Sequence, residues 1–138
     1  MTPPVSGVLE TCLYVEDVKR SRAFYERIFG FTAMTVDDRI VAFDVAAGNV
    51  LILFRRGGTR EPIATAGGVI PPHDGSGEQH FAFGIAEADY EPWKRHLHDS
   101  QVDVESEVAW PQGGRSLYFR DPDGLLVELA TPGLWRNY

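Results

Sequence analysis

The chain has 138 residues, 43% of them hydrophobic and 24% charged, with a net charge of −7 at pH 7. This length suits one domain with a core large enough to fold unaided. The acidic balance excludes a nucleic-acid-binding face, which needs clustered Lys and Arg. No apolar run reaches the ~18 residues of a membrane span, and no signal-peptide pattern is present. The single cysteine, Cys12, excludes an intrachain disulfide, so we expect a cytoplasmic protein that does not associate with membranes.

The first half of the chain predicts a strand, a helix and three further strands. Residues 9–15 alternate as a strand, Asp17 is suited to cap a helix, and Gly30 is suited to end it. The apolar stripe of the helix, residues 18–29, is Val18, Phe24, Tyr25, Ile28 and Phe29. The strands that follow are expected at 31–36, 39–45 and 49–54.

The second half repeats this plan. A strand at 80–86 precedes a helix at about 89–99, and the next strands are expected at 103–109, 115–120 and 125–130. The turn Asp121-Pro122-Asp123-Gly124 separates the last two strands. Residues 55–78, between the halves, contain six glycines and three prolines and predict a linker, a cover over a site, or both.

Two β-α-β-β-β modules therefore make up a single domain over residues 1–138. Module one covers about 8–54, the linker covers 55–78 and module two covers about 79–131. The predicted fold class is α+β, with the two modules forming an open mixed β-sheet half-barrel around a metal and substrate cavity.

Three strands carry a metal-competent residue on one face and bulky apolar residues on the other. Glu128 lies between small or apolar residues, His80 shares a face with Ala82 and Gly84, and Glu10 shares one with Cys12. Two carboxylates and an imidazole on one wall repel and desolvate one another unless a cation lies between them. The pattern favours a divalent metal bound by Glu10, His80 and Glu128.

An ordinary structural explanation stays open for each residue alone. Glu128 could pair with Arg115 or Arg120, His80 could be a structural histidine, and Glu10 could simply open a strand. The metal hypothesis depends on the three residues together.

The segments LYVEDVKRSRAFYERIFGF, HFAFGI and YFRDPDGLLVEL resemble the vicinal oxygen chelate superfamily, which includes glyoxalase I, fosfomycin-resistance thiol transferases, extradiol dioxygenases and bleomycin-binding proteins. The resemblance covers about residues 8–131 and places His80 and Glu128 on metal-ligand positions. Glu10 falls where many members have histidine. Ile52 falls on a fourth position, where glyoxalase I has a carboxylate, and Cys12 falls on the catalytic threonine position of the fosfomycin enzymes.

The resemblance implies one divalent ion per site, Mn, Fe, Ni or Zn, that chelates adjacent oxygens of a small-molecule substrate and stabilises an enolate or oxyanion. A glyoxalase-like lyase or isomerase is the first expectation, with Glu10 as a base. Alternatives are a ring-cleaving dioxygenase, a fosfomycin-type thiol transferase and a metal-free, bleomycin-resistance-like drug binder. The expected substrate-binding residues are Tyr118, Tyr14, Cys12, Ile52, Arg115 and Trp110. Short chains of this kind commonly pair, so a homodimer is expected, with the site either within one chain or between two.

Overall fold

The computed structural model describes all residues, 1–138. The chain divides into two compact units, Met1–Ser76 and Gly77–Tyr138, which are described in turn. Each unit combines helix with an open mixed sheet, so the α+β assignment is confirmed. No helix is long and apolar enough to cross a membrane.

The first unit is built on a four-stranded sheet in the order β1-β4-β3-β2. β1 runs parallel to β4, and the other neighbours are antiparallel. Its elements are β1 (Glu10–Val15), α1 (Val18–Phe29), β2 (Thr32–Val36), β3 (Ile40–Ala46) and β4 (Asn49–Arg55).

Helix α1 begins and ends where its sequence predicts. The Asp17 carboxylate accepts hydrogen bonds from the backbone N–H groups of Lys19 and Arg20, which have no partner inside the helix. Gly30 ends the helix at a φ of 67°, a left-handed conformation that glycine adopts without strain. The buried stripe of the helix packs on β4 and β3, where the Tyr25 ring lies 6.1 Å from that of Phe43, and this layer forms the core of the unit.

The segment between the modules contains regular structure that its composition did not predict. Residues Ile63–Thr65 (β5) and Gly68–Ile70 (β6) form an antiparallel hairpin. The hairpin is short because the flanking glycines and prolines limit the length of its strands.

The second unit repeats the architecture, with the sheet order β7-β10-β9-β8. β10 runs parallel to β7 and antiparallel to β9. Its elements are β7 (His80–Gly84), a 3-10 turn (Glu87–Asp89), α2 (Tyr90–Asp99), β8 (Ser106–Ala109), β9 (Arg115–Arg120) and β10 (Leu126–Ala130). The helix is predicted to begin at about 89 and begins at Tyr90, directly after the 3-10 turn.

The registers of the two sheets make corresponding positions explicit. Glu10 pairs with Val50, and His80 pairs with Leu126, so Glu10 and His80 correspond. Two residues further along each parallel partner strand are Ile52 and Glu128. Ile52 is therefore the counterpart of Glu128 in the first unit.

Candidate functional site

The Glu128 carboxylate is buried, with only 5% of the residue exposed. A carboxylate in such a place is costly unless donors replace the water it has lost. Its Oε1 accepts hydrogen bonds from the Ser116 hydroxyl at 2.6 Å and from the Tyr118 hydroxyl at 3.2 Å. Ser116 in turn accepts a hydrogen bond from the indole N–H of Trp110 at 2.8 Å. The chain from Trp110 through Ser116 to Glu128 fixes the orientation of the carboxylate.

Strand alternation explains why these donors meet Glu128. In β9, Ser116 and Tyr118 lie on the same face, and Tyr118 is the direct cross-strand partner of Glu128. The spacing of two residues between Ser116 and Tyr118 is sufficient to place both on one strand face. The contribution of Trp110 depends on the rotamer of a side chain outside the strand, and no sequence pattern reveals it.

His80 lies beside the second oxygen of Glu128, with Nε2 at 3.2 Å from Oε2. Its Nδ1 is 2.9 Å from the backbone carbonyl oxygen of Leu126. Because a carbonyl oxygen only accepts, Nδ1 must carry the proton and donate it. The lone pair of Nε2 then faces a carboxylate oxygen, which is unfavourable unless a proton or a metal ion lies between them.

The His80–Glu128 pair fits a divalent metal. A metal-bound histidine usually donates its other ring N–H to a carbonyl or carboxylate, as His80 does here. Two donor atoms that each lie about 2.1 Å from an ion are separated by roughly 3.0 to 3.4 Å in octahedral or tetrahedral geometry. The 3.2 Å between Nε2 and Oε2 falls in that range.

The predicted third ligand, Glu10, belongs to the first unit. The structure contains no group of three or more His, Cys, Asp or Glu side chains arranged to hold a metal ion. The role of Glu10 as ligand or base therefore stays a prediction.

The alternative pairing of Glu128 with Arg115 or Arg120 is not observed. Arg115 contacts Glu91 at 3.2 Å and lies 3.9 Å from the ring centroid of Tyr90, whereas Arg120 pairs with Glu105 at 2.7 Å. Arg115 alternates with Ser116 along β9, so it lies on the opposite face of the strand from the donors to Glu128. Arg115 therefore connects β9 to helix α2 through Glu91 and Tyr90. No contact in the structure supports its predicted role in substrate binding.

The first unit contains a cavity of about 680 Å³ on one side of β1. Glu10, Cys12 and Tyr14, on one face of that strand, all line it. Ile52 is buried beside them as the cross-strand partner of Cys12. Burial and then the charge of Glu10 raise the pKa of the Cys12 thiol, so the thiol stays protonated near neutral pH.

His73, in the segment between the two modules, lies at the cavity. Its Nδ1 is 2.7 Å from the Tyr14 hydroxyl, and its ring packs edge-on against Phe54, with 4.7 Å between centroids. A single histidine in a loop gives no sequence signal for such a contact.

Two βαβββ units, with a histidine–carboxylate pair in one and a cavity in the other, define the fold class of this chain. The family model of the Glyoxalase/Bleomycin resistance protein/Dioxygenase superfamily matches residues 7–129, and the chain belongs to that superfamily.

Individual relatives agree with this membership. The crystal structure of a lactoylglutathione lyase from Agrobacterium tumefaciens matches with a TM-score of 0.87 and 32% identity, over 97% of this chain and 99% of that one. Metallothiol transferase FosB of Bacillus licheniformis is 29% identical over 128 residues, which are 92% of this chain and 76% of the relative. Glutathione transferase FosA of Serratia marcescens is 38% identical over 68 residues, which are 47% of this chain and 44% of the relative.

Proposed function

We propose that this chain is a divalent-metal-dependent enzyme acting on a small molecule together with a thiol or on a thiol adduct. The observation that carries the proposal is the His80–Glu128 pair, in which Nε2 lies 3.2 Å from Oε2 while Nδ1 and Oε1 have other hydrogen-bond partners. The names of the three relatives share a thiol: a metallothiol transferase, a glutathione transferase and a lactoylglutathione lyase.

The proposed ligands are His80 through Nε2, Glu128 through Oε2, and Glu10. One imidazole and carboxylate oxygens suit Mn²⁺, Fe²⁺, Ni²⁺ or Zn²⁺. A bound ion of this kind would supply Lewis-acid polarisation of a substrate oxygen.

The side chains around Glu128 fix the orientation of its carboxylate and donate hydrogen bonds to it. Ser116 and Trp110 hold the carboxylate so that Oε1 is occupied and Oε2 is left for a further partner. Burial and the charge of Glu128 raise the pKa of Tyr118, so its hydroxyl stays protonated as the second donor to Oε1.

Cys12 is not suited to be the nucleophile, because its raised pKa disfavours the thiolate. A thiol taking part in the reaction would then be brought by a second substrate or be attached to the first. Ile52 supplies no carboxylate in the first unit, so Glu10 is the proposed base if the reaction is a glyoxalase-like proton transfer.

Metal content tests the proposal. Protein purified without chelator should contain about one divalent ion per chain, and His80→Ala should lose it. His98→Ala is the matched control, because His98 is largely exposed and pairs only with Asp99 beside it. A metal-loaded protein is then screened with dicarbonyl–thiol adducts, with epoxides plus a thiol, and with catechols. Equal metal content in wild type and His80→Ala would contradict the proposed site.

A metal-free small-molecule binder is the second candidate. The cavity of the first unit favours it, since its walls do not include His80 or Glu128. Failure of the wild type to take up Mn²⁺, Fe²⁺, Ni²⁺ or Zn²⁺ would support this candidate over the enzyme.

A further inference from the structure

The cavity of the first unit has the size and walls of a ligand pocket. Its volume of about 680 Å³ lies within the roughly 300–1,000 Å³ of small-molecule sites. Half of its twelve lining residues are apolar: Ile40, Phe54, Ile63, Ile70, Pro71 and Pro72.

One wall of the cavity is a segment, residues 59–73, that we name the strap. Its two ends are joined by a hydrogen bond from the His73 backbone N–H to the Thr59 carbonyl at 3.0 Å and by one from the Thr59 hydroxyl to the His73 carbonyl. Asp74 follows directly and accepts hydrogen bonds from the Gly57 backbone N–H at 3.0 Å and from the Arg60 side chain at 2.7 Å. The strap is therefore an anchored wall, which reduces the entropy lost when a ligand binds.

Arg39 is the one cationic side chain among the residues that line the cavity. It is half-buried, and its guanidinium takes part in no hydrogen bond or ion pair of the structure. An Arg with five unused donors, in a chain with a net charge of −7, is suited to bind an acidic group that the rest of the surface repels.

The two charged residues of the lining lie toward opposite ends of β1. Arg39 precedes Ile40, which is the cross-strand partner of Phe54, and Phe54 in turn pairs with Tyr14. Glu10 is four residues before Tyr14 on the same strand, or about 13 Å at ~3.3 Å per residue. A ligand with its acidic group at Arg39 would extend its body past Cys12 toward Glu10, where a second acidic group would be repelled.

The geometry points to this cavity as a binding site for a small organic acid with an apolar body and one acidic group, a carboxylate or a phosphonate. The acidic group pairs with Arg39, the body packs against Phe54 and the apolar side chains of the strap, and Glu10 excludes acids charged at both ends. Neither His80 nor Glu128 lines the cavity. Glu10 is also a proposed metal ligand, so binding of the acid is tested in the absence of metal.

Calorimetric titration of chelator-treated protein tests this site. The probes are phenylbutyrate, its neutral analogue phenylbutanol, and the dicarboxylate suberate. Phenylbutyrate should bind, and Arg39→Gln should weaken its binding by about tenfold or more, because a hydrogen bond to a charged group is lost. Arg95→Gln, which removes the same charge from an exposed position of α2, should leave binding unchanged.

The probes also separate charge recognition from apolar packing. Phenylbutanol should bind more weakly than phenylbutyrate and equally to wild type and Arg39→Gln, while suberate should bind to neither. Amide spectra of Arg39→Gln establish that the variant is folded. No binding of phenylbutyrate by the wild type, or equal binding by wild type and Arg39→Gln, would overturn the proposal whatever the metal content proves to be.

Discussion

Replacing Ser116 by alanine isolates the hydrogen bonds that hold the buried Glu128. The substitution removes the 2.6 Å donor to Oε1 and leaves the Trp110 indole N–H without the acceptor that it has at 2.8 Å. A hydrogen bond to a charged group contributes about 1.5–3 kcal/mol, and an unsatisfied donor costs about 1 kcal/mol more. Because Ser116 is fully buried, we expect a loss of roughly 2–4 kcal/mol.

Urea unfolding followed by tryptophan fluorescence measures this loss in the second unit, because Trp93, Trp110 and Trp135 all lie within Gly77–Tyr138. Ser106→Ala is the matched control, since Ser106 is exposed on β8 and should change stability by less than about 0.5 kcal/mol. A double-mutant cycle with Trp110→Phe should give a favourable coupling energy between the two side chains. A loss in Ser116→Ala no larger than that in Ser106→Ala would refute the view that this network stabilises Glu128.

Two predictions concern the strap and its anchor. The hydrogen bonds from Gly57 and then Arg60 lower the pKa of Asp74 to about 2, so its stabilising contribution is present above the unfolded value of about 4 and is lost as pH falls toward 2. Asp74→Asn should therefore make the free energy of unfolding less dependent on pH across that window. Urea unfolding followed by circular dichroism measures this free energy at each pH, and the same pH dependence in both proteins would contradict the prediction. His73→Ala removes the contacts to Tyr14 and Phe54 and should accelerate tryptic cleavage after Arg60. The control His98→Ala should not change the cleavage rate. Equal cleavage rates in wild type and His73→Ala would show that His73 does not hold the strap.

The helices and most strands could be predicted because their signals are local. Asp17 and Gly30 mark the ends of α1, and alternation along β10 separates Glu128 from the apolar face. The same alternation assigned His80 to a face shared with small residues, and the structure places its Nε2 near Glu128. The tautomer of the His80 ring and the orientation of the Glu128 carboxylate depend on hydrogen-bond partners that a strand pattern does not specify.

The features that could not be predicted arise from contacts between distant residues. The hairpin and the closure of the strap depend on pairing Thr59 with His73, and glycine-rich composition alone does not reveal such pairing. The position of Arg115 could have been anticipated from Ser116, because neighbours in a strand lie on opposite faces. An arginine close in sequence to a buried carboxylate is therefore weak grounds for an ion pair.

The two sheets have diverged at matching positions, and the difference explains why only one of them carries a buried charge. In the second unit Glu128 pairs across the strands with Tyr118, and Ser116 pairs with Ala130 two residues further on. The corresponding residues of the first unit, by the register of β3 and β4, are Ile52, Ala42 and Ile40.

A carboxylate at position 52 would thus face no hydroxyl donors from β3. No hydrogen bond from that strand would offset the cost of removing the carboxylate from water. The first unit has apolar residues at these three positions instead, and one of them, Ile40, helps to line the cavity. Duplication of one fold has therefore provided two different surfaces. In the functions proposed above, the second unit orients a carboxylate toward a cation and the first buries the apolar body of a ligand. This difference follows from three side chains on each sheet and requires no change in backbone topology.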